Sequence, residues 1–181
     1  MSGRRHDRDV LDALEAMAAE PFEGEVWRVA WAGRDPLGGS TAAGRWSPPG
    51  EFEVLYTSLS REGALAEIGH RLSLEPVWPD PSRARHEVHR IRASLERVLR
   101  FETVGDLVPF GVNPARWGSY DYEVTQAVAA AANFLEFEAL LVPSARSPDH
   151  HLVVLLDHAL PEEALTLLDT EPVDWEAWRR R

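Results

Sequence analysis

Arg45, Tyr56 and Glu67 stand at equal spacings of eleven residues. Arg45 lies in the breaker-rich run Gly44-Arg45-Trp46-Ser47-Pro48-Pro49-Gly50, Tyr56 in the extended run Val54-Leu55-Tyr56-Thr57-Ser58, and Glu67 in the helical run Ala64-Leu65-Ala66-Glu67. A guanidinium, a phenol and a carboxylate brought to one pocket suit an anionic ligand whose bond-breaking creates positive charge, which is the demand of nucleotide-sugar chemistry. Guanidinium forks grip phosphate oxygens and stay charged when half-buried, so Arg45, and Arg28 with it, are candidate anchors for a diphosphate or a ribose. A carboxylate such as Glu67 stabilises a cationic sugar, as carboxylates do in glycosidic cleavage. Tyr56 offers a ring face and an orienting hydroxyl. Ser144, following Pro143 at the end of an apolar run, sets a hydroxyl at the rim of a sheet, where α/β proteins bind ligands. The nicotinamide–ribose link of NAD, which breaks through an oxocarbenium-like state, is a bond of this kind.

Each residue also has a purely structural alternative. Arg28 and Glu67 form an ion pair in that reading, Tyr56 is an ordinary strand aromatic, and Ser144 is a turn residue. Trp46 reads as the packing anchor of its loop. Spacing alone leaves the choice open.

The elements that must position these residues follow from periodicity. Val10, Leu11, Leu14 and Met17 keep helical spacing over residues 7–19, so a short amphipathic helix precedes the core. Glu25 to Trp31 alternates as a strand, with Arg28 on the face opposite Trp27 and Trp31. Glycine, proline and serine dominate from Gly33 to Gly50, and a long loop that carries a bulky aromatic packs down. Val54–Ser58 is a second strand, and Ser60 caps a helix with apolar positions Ala64, Leu65, Ile68 and Leu72, placing Glu67 beside the apolar stripe. Trp78-Pro79-Asp80-Pro81 is a connection. Residues 85–100 suggest one or two short strands, and Gly105–Tyr120 a loop. Asp121–Asn133 is an alanine-rich helix, while Phe137–Pro143 and His151–Leu156 are apolar enough for buried central strands. The expected fold is a single α/β domain, a mixed (α+β) sheet with flanking helices. Its organisation is an N-terminal amphipathic helix (1–24), a catalytic domain (25–160), and a C-terminal helix and tail packed on that domain (161–181).

Composition narrows the classes. The 181 residues have the length of one domain and can bury a proper core. With 44% apolar and 27% charged residues and no run of about 20 apolar residues, a membrane span is not expected. The N-terminus lacks the apolar core of a signal peptide, so the cytoplasm is the expected location. The absence of cysteine removes thiolate nucleophiles, disulfides and cysteine-bound zinc. A net charge of −11 has the wrong sign for a phosphate backbone, so nucleic acid is not an expected partner, whereas a few arginines in a cleft still set a positive local potential. His86 with His89, and the pair His150-His151, lack a third ligand at metal-binding spacing. There is no GxSxG elbow for a serine hydrolase. Nor is there a GxGxxG or GxxxxGK[ST] loop, so a bound dinucleotide is held by side chains.

Trp27-Arg28, Asp35-Pro36-Leu37, Gly44-Arg45-Trp46, Pro48-Pro49-Gly50, Leu55-Tyr56, Ala66-Glu67 and Val142-Pro143-Ser144-Ala145-Arg146, in that order, resemble the RES-domain family over about residues 25–157. The resemblance implies a fold related to bacterial ADP-ribosyltransferase toxins and the activity of a toxin that consumes NAD+ as substrate. It implies Arg28, Arg45, Tyr56, Glu67 and Ser144 as pocket residues, with Arg28, Glu67 and Ser144 catalytic and no metal. It also implies a helical, DNA-binding antitoxin of the Xre type as partner, covering the active site. The chain departs from many members at Val29, where an aromatic is usual, and at His151, where asparagine is usual. Both departures bear on the fate of the ADP-ribosyl group, which water, phosphate or a protein side chain can accept. The competing class is a non-catalytic module that binds a nucleotide or a partner; it has no need of Glu67. A ribonuclease toxin fits poorly with the acidic surface.

Overall fold

The computed structural model describes residues 6–78 and 85–181. These form, in chain order, α1 (Arg8–Ala16), β1 (Glu20–Trp31), β2 (Val54–Ser58), α2 (Arg61–Ser73), β3 (His86–Arg100), α3 (Glu123–Phe134), β4 (Ala139–Pro143), β5 (His150–Leu155), β6 (Leu165–Pro172) and α4 (Trp175–Arg179). Short 3-10 turns occupy Val104–Phe110, Pro114–Arg116 and Glu162–Ala164. Of the connection expected at 78–81, all but Trp78 lies outside the described residues.

The six strands make one mixed sheet in the order β1-β2-β5-β4-β3-β6, in which β3 and β4 run parallel and the other pairs antiparallel. β1 also pairs with β3, from Trp31↔His86 to Glu20↔Val98, so the run from β1 through β2, β5, β4 and β3 returns to its start and the strands close on themselves. One side of the sheet is covered by α1, α3 and the loop before β2, which bury Leu14, Trp46, Phe52, Val128, Leu140 and Val153 together. The other side gathers Val26, Leu55, Ile91, Leu141, Leu152 and Val154. Apolar side chains on both parities of β4 and β5 are what make those strands central. The alanines at 129–132 are at most 3% exposed, and their small side chains let α3 lie close against the sheet.

α2 begins where expected. The Ser60 side chain accepts from the Gly63 N–H at 3.0 Å, and Leu65, Leu72 and Ala64 pack with Val29 and Val88 of the sheet. The segment read as one or two short strands is instead a single strand of fifteen residues, β3. Arg90 and Arg92 interrupt its apolar record, yet they alternate with buried His89, Ile91 and Ala93, so alternation survives the charge. The boundary drawn at 24 falls within a strand, and the one drawn at 160 falls in the connection between β5 and the turn at Glu162–Ala164. β1 starts at Glu20 and crosses the first, and after the second the tail adds β6 along β3, from Glu87↔Pro172 to Ala93↔Leu165. β6 escapes sequence reading because its residues are almost all exposed and carry no alternating apolar pattern.

α4 docks through tryptophan. Trp175 is 2% exposed and donates from Nε1 to His86 Nδ1 at 3.1 Å. The Trp178 ring lies directly over Gly69 of α2, where any Cβ would run into it. Gly69→Ala is therefore expected to lower stability by about 1–3 kcal/mol, the cost of overpacking a filled contact, and not to gain the usual helix-propensity benefit of alanine. Chemical denaturation checks this; a variant as stable as the parent means that α4 is only loosely held.

Candidate active site

The loop that carries Arg45 is fastened through its main chain. The Trp46 N–H donates to the Tyr56 hydroxyl at 2.9 Å, and that hydroxyl lies 3.4 Å from Ser47 Oγ, to which it donates. From α3, Gln126 donates to the carbonyls of Gly44 (2.8 Å) and Ser47 (3.3 Å), and Thr125 donates to the carbonyl of Arg45. A Cβ at Gly44 would stand 2.7 Å from the Tyr56 oxygen, so glycine is what permits this close approach. Trp46, 1% exposed, is the loop's anchor in the core. With its backbone so held, Arg45 extends its guanidinium 4.4 Å from the Trp117 ring centre and 4.8 Å from that of Tyr122, and donates to the Ser119 carbonyl at 3.3 Å. Burial lowers its pKa; Tyr122 opposes this, the Arg146 charge adds to it, and Glu67 and Tyr56 oppose it again. Burial also pushes the Tyr56 hydroxyl up, so it remains a neutral donor and acceptor.

Glu67 meets a histidine. Its Oε2 lies 3.6 Å from His151 Nε2, with the carboxylate side chain 37% exposed and the imidazole 12%. On the far side of the ring, His151 Nδ1 is 3.2 Å from the Thr57 carbonyl and 3.1 Å from Ser58 Oγ. The Nε2 edge of the ring thus faces the carboxylate, while the Nδ1 edge is turned to the strand. Burial pushes the Glu67 carboxyl up, but the His151 hydrogen bond and the charges of His151, Arg71 and Arg146 outweigh it, and the group sits below its ordinary value of 4.5.

Ser144 begins the turn between β4 and β5. Its Oγ accepts from the N–H groups of Arg146 (3.1 Å) and Ser147 (3.2 Å), its carbonyl accepts from Trp117 Nε1 at 3.4 Å, and its hydroxyl proton is left to donate. The turn rests on the start of α2, since a Cβ at Gly63 would come 2.6 Å from Asp149 Oδ2. This contact brings Arg146 toward Glu67. The Arg146 guanidinium lies 5.3 Å from the ring centre of Tyr120, whose hydroxyl is 3.1 Å from His70 Nε2 of α2.

Arg28 stands apart. Trp27 pairs with Ser58, and Ser58 with His151, so by strand alternation Trp27 shares the face of His151 and Tyr56 while Arg28 points to the opposite one. There its guanidinium donates to the carbonyls of Pro36 (3.0 Å) and Gly38 (2.6 Å), and Asp35 opposes the lowering of its pKa by burial. The geometry gives Arg28 the work of tying down the loop that leads to Arg45. No Arg28–Glu67 ion pair forms.

The structure thus brings together Arg45, Tyr56, Glu67 and the Ser144 turn, leaves Arg28 outside, and adds Arg146, His151, Trp117, Tyr120 and Tyr122. His151 signalled itself in sequence as a departure and as half of a histidine pair, and Arg146 only as the end of a motif. Tyr120 stands at the site, while Trp31 stacks on His86 at 4.1 Å. Two surface grooves, one around Trp27, Arg61 and Glu171 and one around Leu37, Leu156 and Leu160, carry none of the expected site residues. Among the described residues no group of three or more histidines and carboxylates could hold a metal ion. Nor, among them, is any helix long and apolar enough to cross a membrane.

The chain is similar to several known proteins. A probable NAD(+) phosphorylase of Mycobacterium tuberculosis is 35% identical over 158 residues, covering 84% of this chain and 73% of that protein. The NAD(+) phosphorylase MbcT of Mycobacterium bovis is 26% identical over 143 residues, 77% of each chain. The solved structure of the M. tuberculosis MbcT–MbcA toxin–antitoxin complex contains a chain that superposes with a TM-score of 0.84 at 23% identity, covering 96% of this chain and 97% of that one, a likeness of fold. The sequence model of the RES domain matches residues 25–176, from inside β1 to α4, and so spans every element that supports the Glu67 site. On that match and on the first relative, this chain belongs to the RES domain family.

Proposed function

We propose that this chain is the toxin of a toxin–antitoxin pair that consumes NAD+ by breaking its nicotinamide–ribose bond, with inorganic phosphate accepting the ADP-ribosyl group. The observation that carries the reading is a half-buried carboxylate, Glu67, kept ionised beside His151 and flanked by Arg45 and Arg146. Family membership supports the substrate, and the names of the relatives, NAD(+) phosphorylases, support degradation of NAD+ with phosphate as acceptor.

In this reading a phosphate oxygen bonds to C1 of the ribose while the C1–N bond breaks, and its electron pair leaves with nicotinamide as a neutral molecule. Positive charge builds on the sugar as the bond lengthens, and the Glu67 carboxylate stabilises that charge more than it stabilises the ground state. Arg45 holds phosphate oxygens through its planar fork. Tyr56, whose hydroxyl is engaged with Trp46 and Ser47, contributes its ring and keeps Arg45 in place. The Ser144 hydroxyl has one proton to offer a ligand oxygen. Arg28 acts by positioning the loop of Arg45. A helical antitoxin of the Xre type covers the site in the inhibited state, in keeping with a structural neighbour solved together with an antitoxin.

The test is to incubate purified protein with NAD+ in phosphate and in a non-nucleophilic buffer, with and without cell extract, and to follow nicotinamide. Release is expected to require phosphate and to yield a phosphorylated ADP-ribose. Equal release without phosphate identifies water as acceptor, and label retained on extract protein identifies a mono-ADP-ribosyltransferase. A folded protein that binds NAD+ but releases nothing is the binding module.

A further inference from the structure

The pocket reading asked for two arginines, and Arg28, the expected second one, faces the other side of the sheet. Arg146 occupies the position that Arg28 leaves open. Arg45 lies over Trp117 and Tyr122 at 4.4 and 4.8 Å, Arg146 over Tyr120 at 5.3 Å, and the rings of Tyr120 and Tyr122 are 6.2 Å apart. Both guanidiniums therefore rest on one aromatic strip supplied by residues 117–122. Such faces hold a cation in place without consuming its N–H groups.

Neither is neutralised by a close partner. Among the described residues no carboxylate lies within ion-pair distance of Arg45 or Arg146, although the chain pairs other arginines with carboxylates, as with Arg61, Arg90, Arg100 and Arg181. Arg45 spends one N–H on the Ser119 carbonyl, and the Arg146 guanidinium has no hydrogen bond to a described residue. Each guanidinium carries five donors in a fixed fork, so most of that capacity is unused. The two charges repel, Glu67 being the carboxylate that both feel. In a chain with thirty acidic side chains, two half-buried cations that feel each other's charge are an arrangement that an arriving anion relieves.

We propose that Arg45 and Arg146 form a paired guanidinium site for a phosphate oxyanion, with Arg146 as its second anchor. The inference deepens the functional reading above and rests on it for the identity of the ligands. The phosphate chemistry has two sources in that reaction, the diphosphate of the dinucleotide and free inorganic phosphate.

The test is calorimetric titration of the full chain with inorganic phosphate and, separately, with ADP-ribose, for the parent, Arg146→Met and Arg146→Lys. Methionine keeps an unbranched stem against Tyr120 and removes the charge; lysine keeps the charge and removes the fork. Arg146→Met is expected to weaken binding by about tenfold to a hundredfold, the worth of a charged hydrogen bond or two, with Arg146→Lys between it and the parent. Weakening confined to inorganic phosphate assigns Arg146 to the acceptor; weakening confined to ADP-ribose assigns it to the diphosphate; weakening of both assigns it to a subsite they share. Unchanged affinity for both probes in folded variants overturns the proposal, as does a parent that binds neither. Thermal melting identifies a variant that fails to fold, and the lysine variant then carries the decision. No turnover is involved, so a parent that binds both probes yet releases no nicotinamide from NAD+ keeps this site and loses the phosphorolysis reading.

Discussion

Glu67→Gln is expected to reduce nicotinamide release from NAD+ by about two to four powers of ten while leaving the melting temperature near that of the parent. The substitution keeps the shape of the side chain and removes the charge on which the proposed transition state depends. Because that charge acts mainly on the developing sugar cation, turnover should fall far more than NAD+ affinity. The carboxylate is more than a third exposed, so its loss leaves no buried charge stranded. The pH dependence offers a second check. Burial pushes the carboxyl up, and His151, Arg71 and Arg146 more than reverse this, so its pKa in the folded chain lies below 4.5. A carboxyl with a lowered pKa stays ionised as the pH falls through its ordinary range, and the acid limb of kcat/KM that it governs should lie below pH 4.5. An acid limb well above that value, in a chain that stays folded, would belong to another group. Full activity of a folded Glu67→Gln variant removes the residue from the reaction.

Arg45→Lys is expected to weaken NAD+ binding by roughly tenfold to a hundredfold although the charge is conserved. The guanidinium is a flat group lying against Trp117 and Tyr122, and an ammonium reproduces neither that stacking nor the parallel N–H pair that meets phosphate oxygens. The loop itself should not move. Its fastening runs through main-chain atoms of residues 44, 45, 46 and 47, held by Tyr56, Thr125 and Gln126, none of which touches the Arg45 side chain in doing so. Calorimetry with NAD+ measures the effect, and parent-like affinity in the lysine variant would take Arg45 out of the binding site.

Much of this molecule could be read from the chain, because the signals concerned are local. The helix that carries Glu67 is announced by its Ser60 cap and its apolar stripe, α3 by its alanines, and β2, β4 and β5 by short dense apolar runs, all within a dozen residues of one another. The series of motifs from Trp27-Arg28 to Ser144-Ala145-Arg146 led to the family for the same reason, since residue types in order survive without knowledge of where they meet. The choice of which residues share a pocket belonged to the tertiary structure. Alternation told that Arg28 opposes Trp27, but only the pairing of Trp27 with Ser58, and of Ser58 with His151, decided which of the two faces Glu67. The length of β3 and the existence of β6 depend on partners distant in sequence, and an exposed edge strand has no need of an apolar pattern. Arg146 and His151 reach Glu67 because the β4–β5 turn rests on the first turn of α2, a long-range contact that leaves no periodic trace in sequence. Local chemistry thus determined the elements and the kind of residues at work, and non-local pairing determined which of them face the same ligand.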